Sequence, residues 1–131
     1  MERKEIVLKV KDLMTTSLVA VNAEDSVMQA ARLMHERGIA SLLVRRGEES
    51  AGMITDRDII GRVVSRGLDP TKVTVSEVMS SPIVSISEES TVEEAANKMQ
   101  DNRVRRLMVE SDHGKTGIIT GSDIIRVTRG N

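Results

Sequence analysis

The sequence predicts a mixed α/β (α+β) fold, two β-α-β-β-α repeats packed sheet to sheet with pseudo-twofold symmetry. Three observations carry that prediction. Displaced by 65 positions, the chain falls on itself without a gap, residues 10–60 on residues 75–125. Each copy alternates short apolar runs with stretches of helical apolar spacing. A unit of about fifty residues also buries too little surface to be stable alone, so two copies must pack together.

The register is visible element by element. Val10, Met14 and Val19 fall on Val75, Met79 and Val84. Leu18-Val19-Ala20-Val21 and Ile83-Val84-Ser85-Ile86 follow turn-forming residues and read as strands. Val27, Ala30, Ala31 and Met34, matched by Val92, Ala95, Ala96 and Met99, stand at i, i+3, i+4 and i+7, one face of an amphipathic helix. Asp25-Ser26 and Ser90-Thr91 offer the N-caps. Ser41–Val44 and Arg106–Val109 are the next strands. Polar turns follow them, Gly47–Ser50 and Ser111–Gly114, and lead into Gly52-Met53-Ile54 and Gly117-Ile118-Ile119, so each copy holds a hairpin. A second helix closes each copy at about Asp56–Arg66 and Gly121–Arg129. The domain reading is an extension over 1–9, repeat 1 over 10–66, a linker over 67–74 and repeat 2 over 75–131, one joint module. Residues 1–9 are expected either to add a strand or to stay loose.

Composition excludes several classes of function. With 30% charged and 39% hydrophobic residues in 131, the chain is globular. No apolar run approaches the roughly 20 residues that cross a bilayer, and the start MERKEIVLKVKD is too charged for a signal peptide. The expected compartment is therefore the cytoplasm, with no membrane partner. A formal net charge of −1 argues against nucleic acid as a partner, and the absence of Phe, Tyr and Trp removes stacking platforms for single strands. Without cysteine there is neither a disulfide nor a thiolate nucleophile. His35 and His113 are expected at the surface, and Asp56 and Asp58, two apart at a helix start, do not make a metal site. No nucleophile, base or metal set converges, so the chain is not expected to be an enzyme.

The heptapeptides GMITDRD (52–58) and GIITGSD (117–123) repeat Gly, two apolar residues, Thr, two variable residues and Asp. One reading is structural: Thr55 and Thr120 sit where a strand gives way to a helix, and Asp58 and Asp123 at N3 complete a capping box, with the glycine permitting a tight turn. The other is functional, because free N–H groups at a helix start and an Asp beside a Thr suit the vicinal hydroxyls of a ribose. The same Thr and Asp cannot fully serve both roles at once.

The order Val-x-x-x-Met, short strand, Val-x-x-Ala-Ala-x-x-Met helix, hairpin and Gly-x-Ile-Thr-x-x-Asp-Ile-Ile, present twice, resembles the CBS domain pair, or Bateman module, over about residues 10–128. That resemblance implies a disc-like module, commonly a homodimer, that binds adenosine-containing ligands and acts as an energy or metabolite sensor. It implies ribose binding by Thr55 with Asp58 and by Thr120 with Asp123. It places the base against Thr16, Leu18, Ile39 and Ala40 at the second pair, and against Ser81, Ile83 and Val104 at the first. Aliphatic walls suit an adenine ring in a chain without aromatics. Phosphate contact falls to Arg105, Arg106 and Arg57. Because neighbours in a strand face opposite ways, at most one of Arg105 and Arg106 is expected in a given cleft. The alternative for these arginines is surface pairing with Glu88, Glu89 or Glu110.

The function expected is a regulatory module that senses AMP, ADP or ATP in the cleft between the repeats, with no required cofactor. Its partners would be a second copy of the chain and a separate target enzyme or transporter. The alternatives are a structural or protein-interaction module whose Thr-x-x-Asp boxes only cap helices, and a binder of S-adenosylmethionine or NAD.

Overall fold

In the computed structural model, residues 7–81, 83–112 and 116–129 are described. In chain order they form α1 (Val10–Leu13), β1 (Ala20–Asn22), α2 (Val27–Arg37), β2 (Ser41–Arg46), β3 (Glu49–Thr55), α3 (Asp56–Ile59), α4 (Val75–Val78), β4 (Ser85–Ser87), α5 (Val92–Asn102), β5 (Arg106–Glu110), β6 (Thr116–Thr120) and α6 (Gly121–Arg129). A π-helical turn, Ile60–Val64, continues α3. His113 and residues 1–6 lie outside the described residues.

Two three-stranded sheets carry the predicted repeat. In each, the first strand runs parallel to the second and the second pairs antiparallel with the third, in the order β1-β2-β3 and β4-β5-β6. The first strands are short and begin later than the apolar runs suggest, at Ala20 and Ser85. The long helices start where their caps say. Ser26 Oγ accepts from the Gln29 amide and Thr91 Oγ1 from the Glu94 amide, while the Ser26 and Thr91 amides donate to Gln29 Oε1 and Glu94 Oε1. The bond from Thr91 holds the Glu94 carboxyl below its ordinary range. Both helices stop on a left-handed residue, Gly38 at φ 63° and Arg103 at φ 55°.

The chain packs into two compact units whose boundary differs from that of the duplication. One comprises residues 19–83; the other comprises residues 1–18 with 84–131. Each unit therefore takes its short opening helix from the other repeat, α4 in residues 19–83 and α1 in the other unit. In the first unit, α4 places Val75 and Val78 in a core of Val27, Ala30, Leu42, Val44 and Ile54. The Val75 amide donates to the Asp25 carbonyl at 2.8 Å, and the Val27 amide to the Val73 carbonyl at 2.8 Å. In the second unit Val10 of α1 lies with Ile86, Ala95, Leu107, Val109 and Ile119. There the Val10 amide donates to the Ser90 carbonyl at 2.8 Å, and the Val92 amide to the Leu8 carbonyl at 3.0 Å. Leu8 thus does for α5 what Val73 does for α2, and this end of the N-terminal extension is a counterpart of the linker.

The exchange explains the glycines of the repeated heptapeptide. They are not turn residues, because Gly52 lies inside β3 and Gly117 inside β6. A Cβ on Gly52 would stand 2.7 Å from the Ser80 carbonyl oxygen and 2.9 Å from Met79 Sδ; on Gly117 it would stand 2.9 Å from Met14 Sδ and 3.1 Å from the Thr15 carbonyl oxygen. Close approach of the exchanged segment selects glycine at both places. Backbone bridges seal that approach, Met53 with Ser80 and Thr15 with Ile118.

The closing helices differ. The one expected at Asp56–Arg66 is α-helical only to Ile59, widens into the π turn, and ends before Gly67 at φ 68°. At the π turn the Ser65 amide donates to the Ile60 carbonyl, and the Arg62 guanidinium donates to the carbonyls of Val78 (2.8 Å) and Met79 (3.2 Å), satisfying acceptors left open at the end of α4. Its counterpart α6 is a regular α-helix.

Candidate functional site

Each Thr-x-x-Asp box lies at a strand-to-helix junction. Thr55 ends β3 opposite Ser41, and Thr120 ends β6 opposite Arg106. At the first junction the Asp58 amide donates to Thr55 Oγ1 (3.2 Å) while Asp58 Oδ2 accepts from the Thr55 amide (2.9 Å). The second junction repeats both distances in Thr120 and Asp123. The capping role is therefore filled at both. It uses one carboxylate oxygen of each Asp, so the two expected roles do not exclude one another. The hydroxyl of each Thr accepts in the cap and keeps its own hydrogen to donate.

The remaining oxygens have different surroundings. Asp58 Oδ1 faces the Ser80 hydroxyl at 3.5 Å, beyond the roughly 2.5–3.0 Å of a good O–H···O bond. Asp123 Oδ1 receives the Arg126 guanidinium at 2.8 Å. Sequence reading named neither Ser80 nor Arg126. Ser80 reaches the site only through the exchange of α4, whereas Arg126 is signalled by its i, i+3 spacing from Asp123.

The other expected residues divide between the units. Ser81 and Ile83 lie in the unit of Thr55 and Asp58, and Thr16 and Leu18 in that of Thr120 and Asp123. Ile39 and Ala40, expected at the second pair, lie in the unit of the first. There they line a groove of about 480 Å³ between α2 and α3, together with Ala31, Met34, Asp56 and Ile59. Val104, expected at the first pair, lies in the unit of the second and lines a groove of about 620 Å³ between α5 and α6, beside Met99, Thr120 and Ser122.

Arg105 and Arg106 both line the larger groove. The alternation argument fails for them because β5 begins at Arg106, which leaves Arg105 in the loop, where its carbonyl accepts from the Gly121 amide at 2.9 Å. Repeat 1 has Ala40 and Ser41 in their places, with the Ala40 carbonyl accepting from the Asp56 amide at 3.0 Å. Arg57 is exposed at the start of α3, and its amide donates to Asp56 Oδ1 at 2.8 Å. The alternative for Arg105 and Arg106, pairing with Glu89, does not form among the described residues: Glu89 takes Lys9 (2.8 Å) and Lys11 (3.0 Å). Those bonds, Lys9 first, hold the Glu89 carboxyl below its ordinary range and push Lys11 up.

A duplicated β-α-β-β-α unit that presents the same Thr-x-x-Asp helix start twice defines a tandem module with two related sites. The chain belongs to the CBS-domain family, whose pattern matches residues 10–65 and 75–130. That family comprises regulatory and signal-transduction modules. An uncharacterised protein of Methanopyrus kandleri is 34% identical over 122 residues, 92% of this chain and 62% of that protein. Hypoxic response protein 1 of Mycobacterium tuberculosis is 32% identical over 117 residues, 88% of this chain and 82% of its own length. The structure of the hexameric CBS-CP12 protein from bloom-forming cyanobacteria superposes with a TM-score of 0.82 at 33% identity, covering 93% of this chain and 72% of that one. Among the described residues no helix is long and apolar enough to cross a membrane, and no group of three or more potential metal ligands forms.

Proposed function

We propose that this chain is a regulatory sensor of adenosine-containing ligands of the AMP, ADP or ATP class. The observation that supports the reading is the matched pair of Thr-x-x-Asp boxes, each half-buried and each keeping a Thr hydroxyl hydrogen and a second carboxylate oxygen beyond the cap. In this reading Thr55 with Asp58 and Thr120 with Asp123 hold the ribose hydroxyls. Aliphatic and backbone surface at Thr16, Leu18, Ile39, Ala40, Ser81, Ile83 and Val104 takes the adenine. Arg105, Arg106 and Arg57 neutralise phosphate. Ligand that prefers one geometry of the chain shifts its population and so signals to a partner enzyme or transporter.

Completeness of the caps favours a second reading, a structural or protein-interaction module. Thermal melting with AMP, ATP, S-adenosylmethionine and NAD separates the two. A ligand at 100 times its dissociation constant adds about 2.7 kcal/mol, a rise of several degrees. Melting curves unmoved by millimolar concentrations of all four compounds rule out the sensor.

Self-association is part of the proposal. Ile60 (58% exposed), Val64 (62%) and Leu68 (47%) project from the closing segment of one unit and Ile125 (54%) from that of the other, more apolar surface than a closing helix needs for its own core. Sedimentation is expected to give a dimer whose dissociation is promoted by Ile60→Lys. A monomer at every concentration removes this part of the proposal.

A further inference from the structure

The two sites are built alike around the Thr and the capping oxygen, and they differ at the other carboxylate oxygen. Asp123 Oδ1 is held at 2.8 Å by Arg126, in a pair whose Asp side chain is 16% exposed and whose Arg side chain is 76% exposed. The position of Arg126 in repeat 1 is Gly61, so Asp58 has no cation on its own helix at that spacing; among the described residues its Oδ1 meets the Ser80 hydroxyl at 3.5 Å. An incoming ribose hydroxyl needs this oxygen as its acceptor. At Asp58 it meets a long hydroxyl contact; at Asp123 it must displace a guanidinium. A displaced guanidinium on an exposed stem is free to turn toward solvent or toward an anion nearby.

We propose that Arg126 is a specificity-determining residue that makes the Asp123 site select phosphorylated nucleosides over the bare nucleoside. A neutral nucleoside breaks the Arg126–Asp123 pair without replacing it. A nucleoside 5′-phosphate breaks the same pair but supplies a new anion for the released arginine. The Asp58 site, with Gly61 in the corresponding place, discriminates less. The inference rests on the ribose assignment proposed above.

Calorimetric titration with adenosine and with AMP tests it on the full chain. In Asp58→Ala protein, which leaves the Asp123 site, AMP is expected to bind more tightly than adenosine. Adding Arg126→Ala is expected to raise adenosine affinity roughly fivefold, the range of an exposed ion pair, and to lower AMP affinity, collapsing the preference. Arg126→Lys is expected to restore part of the preference, which a merely helix-stabilising side chain would not do. Adenosine and AMP affinities both unchanged by Arg126→Ala overturn the inference while leaving the sensor reading intact. Wild-type protein that binds neither adenosine nor AMP overturns this inference; the sensor reading falls with it only if ATP, S-adenosylmethionine and NAD also leave the melting curve unmoved.

Discussion

Gly52→Ala is expected to cost about 1–3 kcal/mol of stability, because the new methyl is forced against groups that cannot all move aside. Its nearest neighbour would be the backbone oxygen of Ser80 at 2.7 Å, fixed by the Met53–Ser80 bridge, with Met79 Sδ at 2.9 Å behind it. Gly117→Ala should cost less. There the nearest atom is the flexible Met14 thioether and the backbone oxygen stands off at 3.1 Å. Gly61→Ala provides the control, since a Cβ there meets nothing within 4 Å, and in a helical conformation alanine is favoured by up to about 1 kcal/mol. Chemical denaturation of the three variants checks the order Gly52 worst, Gly117 intermediate and Gly61 neutral or better. Amide exchange should show the Gly52→Ala loss centred on α4 and Ser80. Equal effects at Gly52 and Gly61 contradict the close approach.

The second large effect separates capping from ligand binding at Asp58. Asp58→Ala removes both, so a stability loss of about 1 kcal/mol accompanies any loss of binding. Asp58→Asn is more informative. Its amide oxygen can still accept from the Thr55 amide, as Oδ2 does at 2.9 Å, but its NH₂ replaces the Oδ1 acceptor that the proposed ribose contact requires. Stability near that of the wild type is expected, with AMP binding at this site weakened about 10- to 100-fold, the range for losing a hydrogen bond to a charged group. Titration of Asp58→Asn, Asp123→Asn and the double variant reads the two sites apart. If the double variant binds AMP like the wild type, the carboxylates only cap helices.

Much of the fold was legible because duplication writes each structural constraint twice. The i, i+3, i+4, i+7 apolar face of α2 recurs in α5, and the cap residues Ser26 and Thr91 recur with it. Helical periodicity and capping are local properties, so a short stretch of chain suffices to read them. The ends of elements were less legible. Gly61 sits in a stretch that reads as one helix, yet a π turn forms there, and with it Arg62 bonds the end of α4, sixteen or more residues away.

The site divides in the same way. Thr55, Asp58, Thr120 and Asp123 announce themselves because a capping box spans only four residues. Ser80 beside Asp58, and the role of Gly52, depend on which strand α4 is laid against. The sequence by itself determined the duplication, the helix starts, the strand order within each hairpin and the paired Thr-x-x-Asp boxes. Tertiary structure alone decided that α1 and α4 exchange places, that glycine is required by a neighbouring backbone rather than by a turn, and that Ser80 comes to lie beside Asp58. The reason is physical: a repeat copies every local bond into both halves, but each unit takes its short opening helix from the other repeat, and only packing chooses it.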